Sequence, residues 1–218
     1  MGEIQVELIF SLIISTFLAI FFIYAGKKVK AADPTARPKG VVLVVETGVS
    51  AIYNYMKSIM PKKFEKNYYP YFAMLFLWLI VANLSGLIGF EAPTSNFSIT
   101  LALTIITFVL IQYNAIKKQG LLKFIWGKIM PPTELLSMIS PLISLSMRLF
   151  GNILSGSILM YLVYSLTGWL SSFIIDFNFL GPIVAPILHA YFDIFAGCIQ
   201  TLVFVTLSSI LIMMENPD

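Results

Sequence analysis

Residues 133–166 read TELLSMISPLISLSMRLFGNILSGSILMYLVYSL, an apolar run of 34 residues with one charge, Arg148, deep inside it. A second run over 180–214, LGPIVAPILHAYFDIFAGCIQTLVFVTLSSILIMM, has 35 residues and is interrupted in the same way by Asp193. As helices rising 1.5 Å per residue, each is roughly 50 Å long. A bilayer's hydrocarbon core is about 30 Å thick and needs only about 20 helical residues. Neither run fits upright. Each requires a tilt above about 50°, outside the usual 0–40°, or kinks at Pro141, Pro182 and Pro186.

Outward from this pair, three shorter uncharged runs, 8–26, 70–90 and 92–116, predict spans at 6–26, 70–90 and 98–117. The composition agrees: 58% of the 218 residues are hydrophobic, 11% are charged, and the mean hydropathy is +0.88. A soluble domain carries roughly 25% charged residues, so a soluble enzyme is excluded, and so is a disordered chain. A net charge of +3 does not suit a nucleic-acid binder. The single Cys198 supplies neither an internal disulfide nor a thiolate metal cluster.

The expectation is one all-α integral membrane domain over 1–218 with five transmembrane helices, the last two (133–166 and 180–214) long and steeply tilted. Thirteen of the 14 basic residues lie between the first and second spans (Lys27 to Lys66) or between the third and fourth (Lys117 to Lys128). The N-terminus and the loops at 91–97 and 167–179 hold no Lys or Arg, only Glu3, Glu7, Glu91 and Asp176. The positive-inside bias then sets the N-terminus outside and the C-terminus in the cytoplasm. The first span carries its positive charges after the apolar run, which predicts an anchor rather than a cleaved signal. Within 40–60, Val41, Val45, Val49, Ile52, Met56 and Ile59 fall within about 80° of one helical face, with Glu46, Ser50, Asn54 and Lys57 opposite. This predicts an amphipathic helix on the inner membrane surface; the β-branched run at 41–45 leaves a strand as the alternative. Asn96-Phe97-Ser98 reads as an ordinary loop.

A charge at the bilayer centre costs at least about 2.5–3.5 kcal/mol, so each demands a reason. At 100° per residue, Glu134, Ser137, Pro141, Ser144, Asn152 and Ser155 all lie within about 40° of Arg148, forming a polar stripe. His189, Asp193 and Gln200 form a second stripe, with Gly197 beside it. Structural readings compete with functional ones. Serines let helices approach closely, and Asn83, Asn152 and Gln200 can be interhelical hydrogen-bond partners. His189 can be interfacial, Glu134 can favour a helix N-terminus, and Arg148 can form a salt bridge with Asp193. The other reading is that Arg148 faces a charge on another protein, as a barrier between two polar half-paths for protons or sodium ions.

Ser144-Leu-Ser-Met-Arg148-Leu-Phe-Gly-Asn152-Ile-Leu-Ser-Gly156 resembles the arginine-bearing helix of the a subunit of bacterial F-type ATP synthases. Asn83-Leu-Ser-Gly-Leu-Ile, Pro93-Thr-Ser-Asn-Phe-Ser-Ile-Thr100 and Gln200-Thr-Leu-Val-Phe-Val-Thr-Leu agree in order and spacing, over about residues 35–214. The resemblance implies that the two long helices lie against a ring of c subunits, with b subunits as peripheral stalk and the rest of the complex as partners, in a bacterial cell membrane. It assigns Arg148 to face the ring's ion-binding carboxylates, Asn152 and Gln200 to its surroundings, and Glu134, Ser137 and Ser144 to the inner half-channel. The chain departs from the family at Ser157, where many members are acidic, and at Asp193, where some carry His or Glu. Asp193 is therefore expected to be the outer proton-relay group, with His189 as its helper. No cofactor, metal or nucleic acid is implied. A stand-alone channel or a secondary transporter is the alternative, although the chain lacks the internal repeat usual in transporters. Gly120 to Lys128 lacks the spacing and the Ser or Thr of a phosphate loop, so ATP chemistry is expected to belong to partner subunits.

Overall fold

The computed structural model describes residues 6–33, 37–60, 62–88, 92–129, 132–173, 175 and 177–214, and among these there is no strand. Eight α-helices follow in order: α1 (Val6–Ala31), α2 (Val41–Ile59), α3 (Lys62–Leu84), α4 (Phe97–Gln119), α5 (Leu121–Ile129), α6 (Pro132–Ser172), α7 (Gly181–His189) and α8 (Gly197–Met214). Short 3₁₀ turns at Ser85–Ile88 and Pro93–Ser95 link α3 to α4, and a π-helical turn, Ala190–Ala196, joins α7 to α8. Five segments are long and apolar enough to cross a membrane: Val6–Ala31, Tyr68–Leu87, Phe97–Gln119, Leu136–Ser172 and Gly181–Met214. The protein is thus a multi-pass membrane protein.

Local chemistry sets the helix ends. Asn96 caps α4, its side-chain oxygen accepting the Ser98 N–H at 2.9 Å. The Asn96-Phe97-Ser98 triplet is therefore a helix start rather than an ordinary loop. At the other end, Gly120 adopts φ +79 and donates its N–H to Ile116 O at 2.9 Å, with Lys117 and Lys118 in the last turn facing the negative end of the helix dipole.

The core lies where α3 and α8 pack together, with Phe72, Leu79, Ala82, Phe204, Val205 and Ile212 fully buried and Leu149 of α6 beside them. In lipid, apolar surface gains nothing by turning inward, so small and polar residues take the helix contacts. That is the pattern here. Thr100, Thr104 and Thr107 of α4 and Thr201, Ser208 and Ser209 of α8 are fully buried, while Leu12, Phe17 and Ile20 of α1 are exposed. Most of the buried hydroxyls bond carbonyls of their own helix, as Thr104 does to Thr100 O and Ser209 to Val205 O.

The segment 41–59 is helical throughout, which removes the strand alternative. Ile52 and Met56 of its apolar stripe are buried, and Glu46, Ser50, Asn54 and Lys57 are exposed. The stripe rests on α1 and α3, and Tyr55 reaches Thr206 of α8 in a hydroxyl–hydroxyl hydrogen bond. The apolar face is occupied by the bundle as well as being suited to a membrane surface.

The long pair resolves differently in its two members. α6 is continuous for 41 residues, about 60 Å along its path, and is not interrupted at Pro141. The fifth span changes its winding at the π-turn, not at a proline: Pro182 lies in the first turn of α7, where a missing N–H is harmless, and Pro186 lies within α7.

Candidate functional site

Arg148 sits on an exposed face of α6, between the buried Leu145 and Leu149. Glu134, Ser137 and Ser144 are exposed on the same helix. Among the described residues Arg148 makes no ion pair. The alternative of an Arg148–Asp193 salt bridge fails, because the Asp193 carboxyl is hydrogen-bonded to His189, Nδ1 to Oδ2 at 2.6 Å, and makes no ion pair with Arg148. Among the described residues nothing neutralises this guanidinium, which is costly on a membrane helix.

The π-turn decides where Asp193 points. A π-turn bonds i to i+5 and turns less per residue than an α-helix, so a wheel drawn at a constant 100° misplaces residues on its far side. Asp193 lies within this turn and opens into a cavity of about 400 Å³, also lined by His189 and Phe192. Gln200, which the constant wheel aligns with Asp193, is absent from that cavity. It is only 8% exposed, and its Nε2 has no hydrogen-bond partner. The predicted stripe of His189, Asp193 and Gln200 is therefore split.

Three close approaches hold the turn. Asn83 of α3, 2% exposed, donates from Nδ2 to Gly197 O and to Thr201 Oγ1, both at 3.2 Å, and accepts from Thr94 Oγ1 at 2.9 Å. A Cβ on Gly197 would meet the Asn83 Cβ at 3.2 Å, so only glycine fits this crossing without a shift. Gly86 faces the Asp193 carboxyl and Gly156 of α6 faces the Phe192 side chain, where a Cβ would come into van der Waals contact at 3.8 and 3.6 Å. The interhelical reading of Asn83 is correct, and its target is the junction that aims Asp193. We expect Asn83→Ala to cost about 1–2 kcal/mol, seen as a lower thermal midpoint of the intact assembly in detergent. Thr94→Val, which removes one bond of the three, should cost less.

On the other side of His189, the Tyr164 hydroxyl approaches Nε2 at 3.5 Å. When the imidazole is neutral and Asp193 is ionised, Nδ1–H donates to the carboxylate and Nε2 is left to accept. Tyr164, His189 and Asp193 thus form a chain along which a proton can step. Spacing did not single out Tyr164, which stands 25 residues from His189.

From α6, Asn152, Ser157 and Met160 face the same cavity; from the first turn of α1 comes Glu7. A smaller cavity of about 210 Å³ lies on the other side of Arg148 along α6, lined by Ser137, Met138 and Pro141 with Gln112 of α4 and Leu211 and Met214 of α8. Gln112 Oε1 is buried there without a hydrogen-bond partner. Arg148 lines neither cavity. Asn152 begins the larger one about 6 Å further along the helix and Pro141 borders the smaller about 10 Å back. Ser144 and Glu134 line neither, and the Ser137 hydroxyl is bonded to Glu134 O at 3.2 Å.

A profile of the ATP synthase A chain family matches residues 8–213. The chain belongs to the ATP synthase A chain family. Three curated relatives, each named ATP synthase subunit a, agree. That of Mycoplasmoides gallisepticum is 32% identical over 222 residues, covering 89% of this chain and 74% of its own length. That of Helicobacter hepaticus is 32% identical over 170 residues, covering 73% of each. That of Helicobacter pylori strain P12 is 30% identical over 206 residues, covering 90% of this chain and 84% of its own. This subunit a is thus part of the membrane-embedded Fo sector of an ATP synthase and works in a complex with other subunits of that machine.

Proposed function

We propose that this subunit a passes the coupling ion, H⁺ or Na⁺, through two separate half-paths and makes it travel between them on a rotating ring of c subunits. The observation that carries this reading is the pair of cavities on either side of an exposed Arg148, with Arg148 lining neither. The larger cavity, with Asp193, His189 and Asn152, is the outer half-path. The smaller one, with Ser137, is reached from the ring past Ser144 and continues to the inner side past Glu134. Gln200, buried and unpaired at Nε2, is the polar neighbour of this pathway on α8.

The N-terminus lies outside and the C-terminus in the cytoplasm of a bacterial cell membrane, because Lys27, Lys28 and Lys30 end α1 and Lys117 and Lys118 end α4 on the same side. The long α6 and the α7–α8 segment lie tilted along the ring, and b subunits of the peripheral stalk keep this chain from turning with it. No nucleotide chemistry is assigned to this chain.

In the direction of synthesis, a proton reaches Asp193 through the larger cavity and passes by Asn152 to an ionised carboxylate of the ring. The neutral carboxylic acid then moves into lipid and rides almost a full turn. On return it meets Arg148. At about 4 Å and an effective dielectric near 20, the attraction is about 4 kcal/mol, which favours the ionised form roughly a thousandfold. The proton leaves through the smaller cavity. Arg148 also repels any bare cation moving directly from one cavity to the other.

Purification through a tag on this chain tests the reading. The expected result is co-purification of a ring of small carboxylate-bearing subunits with the catalytic headpiece. Liposomes holding the membrane sector should conduct the coupling ion, and those holding this chain alone should not. Conduction by the isolated chain would overturn the proposal, and comparing flux with and without Na⁺ identifies the ion.

A further inference from the structure

We infer that Glu7, in the first turn of α1, is a proton-collecting group of the larger cavity and hands protons to the His189–Asp193 pair. The inference rests on the outer-path reading given above. α1 carries no other charged residue until Lys27, and its surface between is almost wholly apolar. Glu7 is partly buried, and it lines the same cavity as Asp193, although 186 residues separate them in the chain.

The titratable groups facing this space can be named. From α1 there is Glu7. From α7 and the π-turn there are His189 and Asp193. α3, the two 3₁₀ turns and α6 contribute Asn83, Gly86, Ser95, Asn152 and Ser157, none of which titrates in the accessible range. Among the described residues the cavity therefore holds two carboxyl groups and one imidazole, with hydroxyls and amides between them and no fixed cation. His189 and Asp193 are already bonded to each other at 2.6 Å. Glu7 has no hydrogen bond to either, and so stands as a separate station on another helix.

Supply explains why a second carboxyl group matters. At a diffusion limit of roughly 10¹⁰ M⁻¹s⁻¹, about 10⁻⁸ M protons at an outer pH near 8 deliver only about 100 protons per second to a single acceptor. At an outer pH near 6 delivery is about a hundredfold faster. A negative group at the mouth raises the local proton concentration and supplies a second capture site. Its benefit must therefore grow as the outer solution becomes more alkaline. The competing role for Glu7, a first-turn acid favoured by the helix dipole, carries no such dependence on the outer solution.

The test uses the intact Fo sector in liposomes with the headpiece removed, a fixed potential driving protons inward, and the pH varied on the side facing the larger cavity. Glu7→Gln should lower flux roughly tenfold at an outer pH near 8, below the hundredfold or more typical of a proton-transferring group in the reaction itself. Near pH 6 the deficit should fall below about twofold, and Glu7→Asp should restore most of the flux at both values. Varying only the inner pH should leave the ratio of mutant to parent unchanged. Parental flux in Glu7→Gln at both outer pH values would overturn the proposal. So would an equal loss at both that Glu7→Asp shares, because that is the signature of a structural role. Asp193→Asn run in parallel separates the two levels: parental flux there removes the outer-path reading itself, whereas failure at Glu7 alone leaves it standing.

Discussion

Arg148→Ala is expected to leave the synthase assembled and to abolish ion-driven ATP synthesis. Assembly survives because Arg148 is exposed and, among the described residues, forms no ion pair whose other half would be stranded by its removal. Its buried neighbours Leu145 and Leu149 keep α6 packed. What disappears is the fixed positive charge that makes a returning ring carboxylate give up its ion, an effect of about a thousandfold on the ionisation equilibrium. The barrier between the two cavities goes with it, so passive leak through a stalled complex should rise.

Arg148→Lys should also lose most of the activity. A lysine can shed its proton when desolvated and offers a point charge in place of a planar fork of donors, whereas arginine stays charged at every relevant pH. ATP synthesis by purified, reconstituted complexes under an imposed ion gradient checks both variants, with ATP hydrolysis as the measure of assembly. Coupled synthesis at the parental rate in Arg148→Ala would sink the mechanism.

The parts of this molecule that were legible in the sequence are those set by solvent alone. Charge-free runs mark the spans because a bilayer excludes charge, whatever packs beside them. Arg148 stands out for the same reason. The helix at 41–59 was legible from its period, but its contacts were not, since an apolar stripe suits a lipid surface and a protein flank equally well.

The π-turn was invisible. Ala190 to Ala196 carries nothing that distinguishes it from an α-helix, and the contacts holding it come from Asn83 and Gly86, more than 100 residues away, and from Gly156 on another helix. Missing it carried Gln200 onto the face of Asp193. Proline does not interrupt α6, which continues through Pro141. Glu7 read only as a marker of the outer side, since its relation to Asp193 exists only once α1 stands beside the cavity.

Asp193→Asn should reduce proton conduction by roughly a hundredfold or more, the scale set by losing a group that takes up and releases the transferred proton. The substitution is nearly isosteric. Its amide oxygen can still accept the His189 Nδ1–H, and Gly86 leaves the same space around it, so the π-turn and the Asn83 bonds should persist. A change in flux therefore reports lost protonation rather than lost structure. Asp193→Glu tests the distinction from the other side: it keeps the carboxyl group but moves it by one methylene from its place beside Gly86 and His189, and should conduct at an intermediate rate. His189→Ala should cost less than Asp193→Asn, because the imidazole relays to the carboxylate and the cavity offers water a way around it. If Asp193 is the obligatory station, adding His189→Ala to Asp193→Asn should lower the flux no further, since two residues acting in one relay do not contribute independently. Unchanged proton flux in Asp193→Asn would instead assign the pair a structural task, with Asp193 serving only to orient His189.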